Sequence, residues 1–120
     1  MIIQVKDIIQ IHDYIIKNIG GLQGIRDVDT LDGIVGGIYQ SFYDVDLYET
    51  DKYKLCRLFE RLCTSQVFYD GNKRTAFIST EYYNRKYEVG LTMFRGDVYK
   101  LIMDVSNGKV TYQDLVVMNV

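Results

Sequence analysis

Isoleucines recur along the first twenty positions at helical spacing. Ile8, Ile11, Ile15 and Ile19 fall on one face, Ile9 and Ile16 widen it, and Gly20-Gly21 follow as a stop. A glycine-rich turn, Gly20-Gly21-Leu22-Gln23-Gly24-Ile25-Arg26-Asp27, separates this helix from a second one. Asp29 or Thr30 is the expected cap of that helix, whose apolar positions are Leu31, Ile34, Val35, Ile38 and Phe42. Its glycines, Gly33, Gly36 and Gly37, weaken it in isolation and suggest close packing against a neighbour. Residues 43–51 are polar and acidic and read as a loop. A third helix carries Tyr53, Leu55, Cys56, Leu58, Phe59, Leu62 and Cys63, a broad face that predicts a central position. A fourth runs from about residue 73 to 87 and is expected to bury Ala76, Phe77, Ile78, Tyr82 and Tyr83. A turn around Gly90, with room for a short extended piece, leads to a fifth helix over residues 95–106. A short last helix capped by Thr111 ends the chain. Six helices and almost no sheet predict an all-α bundle forming a single domain over residues 1–120.

Composition narrows the function classes. A chain of 120 residues can bury roughly two-thirds of its unfolded surface, so it needs no disulfide or metal to fold. Absence of proline leaves long helices uninterrupted. A net charge of −2 with only short basic clusters argues against nucleic acid as a partner. No signal-peptide pattern and no long apolar run occurs, so the expectation is a soluble, cytoplasmic protein with no membrane partner. Cys56 and Cys63, on one helix, stand about 10 Å apart along its axis, too far to bridge, and no Cys/His cluster suits zinc. Both read as small core residues. The 11 tyrosines read as residues of the core edge.

The chemistry concentrates between the third and fourth helices, in Phe68-Tyr69-Asp70-Gly71-Asn72-Lys73-Arg74-Thr75-Ala76. Gly71 permits a tight backbone turn. Asn72, Lys73 and Arg74 then open a helix, where free N–H groups and the positive dipole end favour anions. Cations at that end oppose the dipole unless an anion is bound, which makes their placement the physical clue. Asp70, just upstream, suits Mg²⁺, which prefers one or two carboxylates plus phosphate oxygens and water. A capped helix with a solvated polar start is the plainer reading. The loop is not a Walker loop, for no G-x-x-x-x-G-K-[ST] occurs.

The stretch from Gln66 to Thr75 resembles the Fic/Doc superfamily signature H-x-F-x-(D/E)-(G/A)-N-(K/G)-R, and Lys73 with Thr75-Ala76 is similar to its Doc (death-on-curing) branch. The turn at residues 20–27 resembles the glycine-rich G-x-R-D turn of Doc proteins, and His12-Asp13 is similar to part of their first helix. The resemblance implies a compact six-helix Fic/Doc-type bundle and a toxin of a type II toxin–antitoxin pair. It implies a kinase that uses ATP and Mg²⁺ to phosphorylate a threonine of elongation factor Tu, and a cognate Phd-like antitoxin as partner. Asp70 would then hold the metal, Gly71, Asn72, Lys73, Arg74 and Thr75 the phosphates, and Phe68 would be structural. Lys73 stands where the AMP-transferring Fic branch typically has glycine, which argues against nucleotidyl transfer.

One position departs from the signature. Gln66 stands where the family has the histidine that takes the proton from the target hydroxyl. A carboxamide does not titrate near neutrality and cannot act as a general base, so the chain is expected to be inactive or nearly so. Two accounts stand side by side: a disabled variant of an active toxin, or a natural member that binds a nucleotide or partner without turnover. His12, the only histidine, reads as a partly buried residue near the turn rather than a replacement base. Arg26 reads either as a residue of the active cleft or as the partner of a neighbouring aspartate. Arg57 and Arg61 read as a solvated basic strip, or as a contact for an acidic antitoxin segment.

Overall fold

A computed structural model of the chain describes residues 1–119 and is all-α apart from one small hairpin. The helices are α1 (Val5–Ile19), α2 (Val28–Gly37), α3 (Asp51–Thr64), α4 (Asn72–Lys86), α5 (Val98–Ser106) and α6 (Tyr112–Met118). Between α2 and α3, strands β1 (Ser41–Phe42) and β2 (Val45–Asp46) pair antiparallel, where the sequence reads as a loop. Phe42, expected on the face of α2, lies in β1 instead and is exposed. The turn joining the strands places Tyr43 and Asp44 at positive φ.

Helix α3 is the centre, as its broad apolar face predicts. Leu55, Cys56, Leu58 and Phe59 are fully buried, and α3 packs against α2, α4, α5 and α6. Each large apolar side chain removed from water there contributes about 1.5–3 kcal/mol. Helix α1 buries Ile8, Ile15 and Ile16, while Ile19, beyond the edge of the packed face, is exposed. Gly20 ends α1, its N–H donating to Ile16 O.

Three further expectations change. The cap of α2 is Asp27, not Asp29 or Thr30: its side chain accepts from the Thr30 N–H at 3.0 Å and from the Thr30 hydroxyl at 2.7 Å. Those bonds, the hydroxyl's first, hold the Asp27 carboxyl below its usual pKa. The α2 glycines do not mark tight packing, because a Cβ added at Gly33, Gly36 or Gly37 would meet nothing within 4 Å. Helix α4 buries Thr75, Ala76, Ser79, Thr80 and Tyr83 and leaves Ile78 and Tyr82 exposed. Small and hydroxyl-bearing residues sit inside because α4 is packed on two sides, by α1 and α3. The Tyr83 hydroxyl reaches Asp7 Oδ2 at 2.8 Å and ties α4 to the start of α1.

Cys56 and Cys63 are both buried free thiols, as the sequence suggests. Burial pushes each thiol up to about 12. At about pH 8 both should therefore resist a disulfide-exchange reagent such as DTNB in the folded protein and react fully in denaturant, as a thiol with an ordinary pKa does. Stoichiometric labelling before unfolding would contradict this burial.

Candidate functional site

The segment between α3 and α4 is nailed to the core by two apolar residues, Val67 and Phe68, which are 1% and 2% exposed. The Phe68 ring stacks on the buried His12 ring at a centroid distance of 3.7 Å and an interplanar angle of 6°. His12 Nε2 lies 2.8 Å from the Asp70 carbonyl oxygen. A carbonyl only accepts, so Nε2 carries the proton. His12 is thus wholly buried and gives its donor to the loop, which places it beneath the site as support.

Asn72 folds back on the same loop. Its Oδ1 accepts from Phe68 N–H at 2.9 Å and its Nδ2 donates to Phe68 O at 2.8 Å. Gly71 adopts φ +75°, and a Cβ there would stand 3.2 Å from Ile16 Cδ1. Only glycine takes that backbone without strain while passing so close to α1.

The glycine-rich turn at residues 20–27 lies along the loop as a strap. Arg26 N–H and Asp27 N–H both donate to Val67 O, at 2.7 and 3.0 Å, and Ile25 bridges Phe68 antiparallel. Leu22 N–H donates to Asp70 Oδ2 at 3.2 Å. Gly21 allows that approach: at its φ of +123°, a Cβ would stand 2.8 Å from Asp70 Oδ2. At the far end of the strap, Arg26 Nη1 donates to Gln66 Oε1 at 2.9 Å. Arg26 forms no ion pair with an aspartate among the described residues.

The start of α4 is left open. Side chains of Asp27, Thr50, Asp97 and Thr111 cap α2, α3, α5 and α6; the N-caps of α1 (Gln4) and α4 (Gly71) make no side-chain cap bond, and Gly71 has no side chain to offer. The first turn of α4 holds no acidic residue, and its first backbone bond runs from Thr75 N–H to Gly71 O at 3.0 Å. The N–H groups of Asn72, Lys73 and Arg74 are thus the free donors of a helix start. Lys73 and Arg74 are exposed and pair with no carboxylate among the described residues. Together with Asp70 and Gln66 they line a cleft of about 610 Å³. Its opposite wall is Met103, Ser106 and Asn107 of α5 and its C-terminal end, beside Cys63 and Thr64 at the end of α3. That volume lies within the roughly 300–1,000 Å³ of small-molecule sites and exceeds what a lone anion fills.

Residues 2–83 match the Fic/DOC family. The chain belongs to that family. No curated protein matches the chain. In this Fic/DOC protein the structure brings Gln66, Asp70, Gly71, Asn72, Lys73 and Arg74 into one cleft. Two of the expected phosphate-binding residues, Asn72 in part and Thr75 wholly, are committed to the fold. The Asn72 carboxamide is bonded to Phe68 at both ends, so it shapes the loop and leaves one Nδ2 hydrogen and the backbone N–H for a phosphate. Thr75 is 1% exposed and its N–H is bonded to Gly71 O, so it does not face the cleft at all. Asp70 fits a metal: Oδ1 accepts from Gly71 N–H and Oδ2 from Leu22 N–H, each oxygen keeping a lone pair. A single carboxylate suits Mg²⁺ only when phosphate oxygens and water complete its shell. No group of three or more His, Cys, Asp or Glu stands ready for a metal elsewhere among the described residues.

The α5 wall of this Fic/DOC cleft carries no sequence signal. Met103, Ser106 and Asn107 sit about 30 positions beyond the motif, outside the residues matched to the family, and belong to no pattern of chemical residues. Arg57 and Arg61 line a second, smaller groove of about 300 Å³ with Gly33 and Gly37. Arg57 pairs with Glu60 and lies 5.9 and 6.0 Å from the Tyr48 and Tyr112 ring centres, so it is packed rather than freely solvated.

Proposed function

We propose that the cleft grips the phosphates of ATP with Mg²⁺, and that the protein is a Doc-type member of its family. The observation that carries this reading is the uncapped start of α4, with unpaired Lys73 and Arg74, opening beside Asp70 into a cleft of nucleotide size. The Asn72, Lys73 and Arg74 N–H groups would hold phosphate oxygens, and the two cationic side chains would balance their charge. Asp70 would hold Mg²⁺, whose charge, when bound, offsets that of the phosphate oxygens. By likeness to the Doc branch, the reaction is transfer of the γ-phosphate to a threonine hydroxyl of elongation factor Tu in the cytoplasm, blocking translation. A Phd-like antitoxin would silence it. Such transfer depends chiefly on positioning and on electrostatic support of the moving phosphoryl group.

Binding is measured directly by calorimetry with ATP and Mg²⁺. The native chain should bind, and Lys73→Ala and Arg74→Ala should each weaken binding by roughly tenfold or more, the worth of a hydrogen bond to a charged group. Affinity unchanged in the double variant would defeat the reading.

A second reading has its own support. The bond from Arg26 Nη1 to Gln66 Oε1 gives Gln66 a defined place in the fold. That favours a member which binds nucleotide or partner without turnover.

A further inference from the structure

We infer that Arg26 is a positioning residue that turns Gln66 into a hydrogen-bond donor facing the cleft, so that the group bound opposite Gln66 is an acceptor oxygen of a phosphate rather than a hydroxyl about to lose its proton. This rests on the phosphate reading of the cleft and adds what the departure at position 66 does within it.

The orientation of the Gln66 carboxamide follows from chemistry. A guanidinium has five N–H donors and no acceptor. The Gln66 atom 2.9 Å from Arg26 Nη1 is therefore the oxygen. Nε2, with two hydrogens, is left without a protein partner among the described residues, on a residue that lines the cleft. Arg26 is itself held. Its N–H donates to Val67 O at 2.7 Å, which fixes its backbone beside the residue that follows Gln66. Its nearest carboxylate in sequence, Asp27, is bonded to Thr30 through both oxygens and does not compete for the guanidinium. The strap thus sets the amide, and the amide nitrogen joins the free N–H groups of α4, Lys73 and Arg74 on the donor side of the cleft.

An attacking hydroxyl needs an acceptor for its proton, and an amide nitrogen offers no lone pair for it. A phosphoryl oxygen needs donors. A histidine at this position could serve as either, whereas a glutamine held by Arg26 serves only as the second.

Calorimetry with inorganic tripolyphosphate and with ATP, both in Mg²⁺, on the full chain separates the possibilities. Gln66→Ala should weaken both ligands by about tenfold, and Gln66→Glu, which removes the donor and adds negative charge, by more. Arg26→Ala should weaken both ligands several-fold, while Arg26→Lys, which can still donate to Oε1, should retain most of the affinity. The double variant Arg26→Ala, Gln66→Ala should be no weaker than Gln66→Ala alone, since Arg26 acts through Gln66. Both side chains are exposed, so melting temperatures should not move. Additive losses would mean that Arg26 binds the ligand itself and would overturn the inference. Full affinity in both single variants would overturn it and leave the phosphate reading standing. No binding of either ligand by the native chain would remove the phosphate reading and this inference together.

Discussion

Placing an imidazole at position 66 with Gln66→His should raise phosphate transfer from ATP to a threonine hydroxyl by roughly 10²–10⁴, the usual contribution of a positioned general base. The reason lies in the proton. The attacking hydroxyl must shed its hydrogen as its oxygen bonds to phosphorus, and the native carboxamide has no site to receive it. The groups that would hold the phosphates are otherwise in place, since the free start of α4, Lys73, Arg74 and Asp70 all open into the same cleft. The nearby Arg26 guanidinium, 2.9 Å from the present Gln66 oxygen, would disfavour a second positive charge and so keep the new imidazole neutral and able to accept. Incubation with elongation factor Tu, Mg²⁺ and ATP labelled at the γ or the α phosphate reads the result. Label arriving from the γ position on a threonine is the expected outcome. Label arriving from the α position would make the protein a nucleotidyl transferase, and no transfer by a folded variant that still binds ATP would defeat the kinase reading.

Truncating Phe68 to alanine should cost about 3–5 kcal/mol of stability, the range for deleting a buried aromatic ring. The ring is 2% exposed and lies flat on His12, and its residue's backbone N–H and C=O are both held by Asn72. Removing it empties the floor of the loop, so the bonds from His12 to Asp70 and from the strap to Val67 lose their fixed base. Urea unfolding should show the loss, with a drop in melting temperature of more than about 10 °C. Phosphate affinity should fall as well, because the loop that presents Asp70 and the α4 start is no longer pinned. A variant within about 1 kcal/mol of the native chain would show that the loop is held by other means.

The two variants probe different links of the same chain of causes. Position 66 governs the proton and leaves the loop alone. Position 68 governs the loop and touches no substrate. Measured together, they separate chemistry from scaffold.

Much of this was legible along the chain. Isoleucines three and four apart marked α1, the broad apolar face of α3 predicted its central place, and Thr111 caps α6 as its position predicted. The motif at residues 68–74, the cations at a helix start and the glutamine at position 66 were all visible, because they depend on neighbours within a few residues. What the tertiary structure decided depends on how the loop closes and on partners far away in sequence. Asn72 was legible as a polar residue of the motif, but its bonds to the backbone of Phe68 exist only once the loop has closed, and they commit its oxygen and one of its two Nδ2 hydrogens. Thr75 and Ser79 turned inward because α4 is covered by both α1 and α3, and a hydrophobic pattern does not report a face buried on two sides. Arg26 met Gln66 across 40 positions, and α5 supplied the far wall of the cleft without any motif of its own. Local spacing fixes which residues share a helix face. Only the folded chain fixes which donors remain free, and those free donors are what a ligand meets.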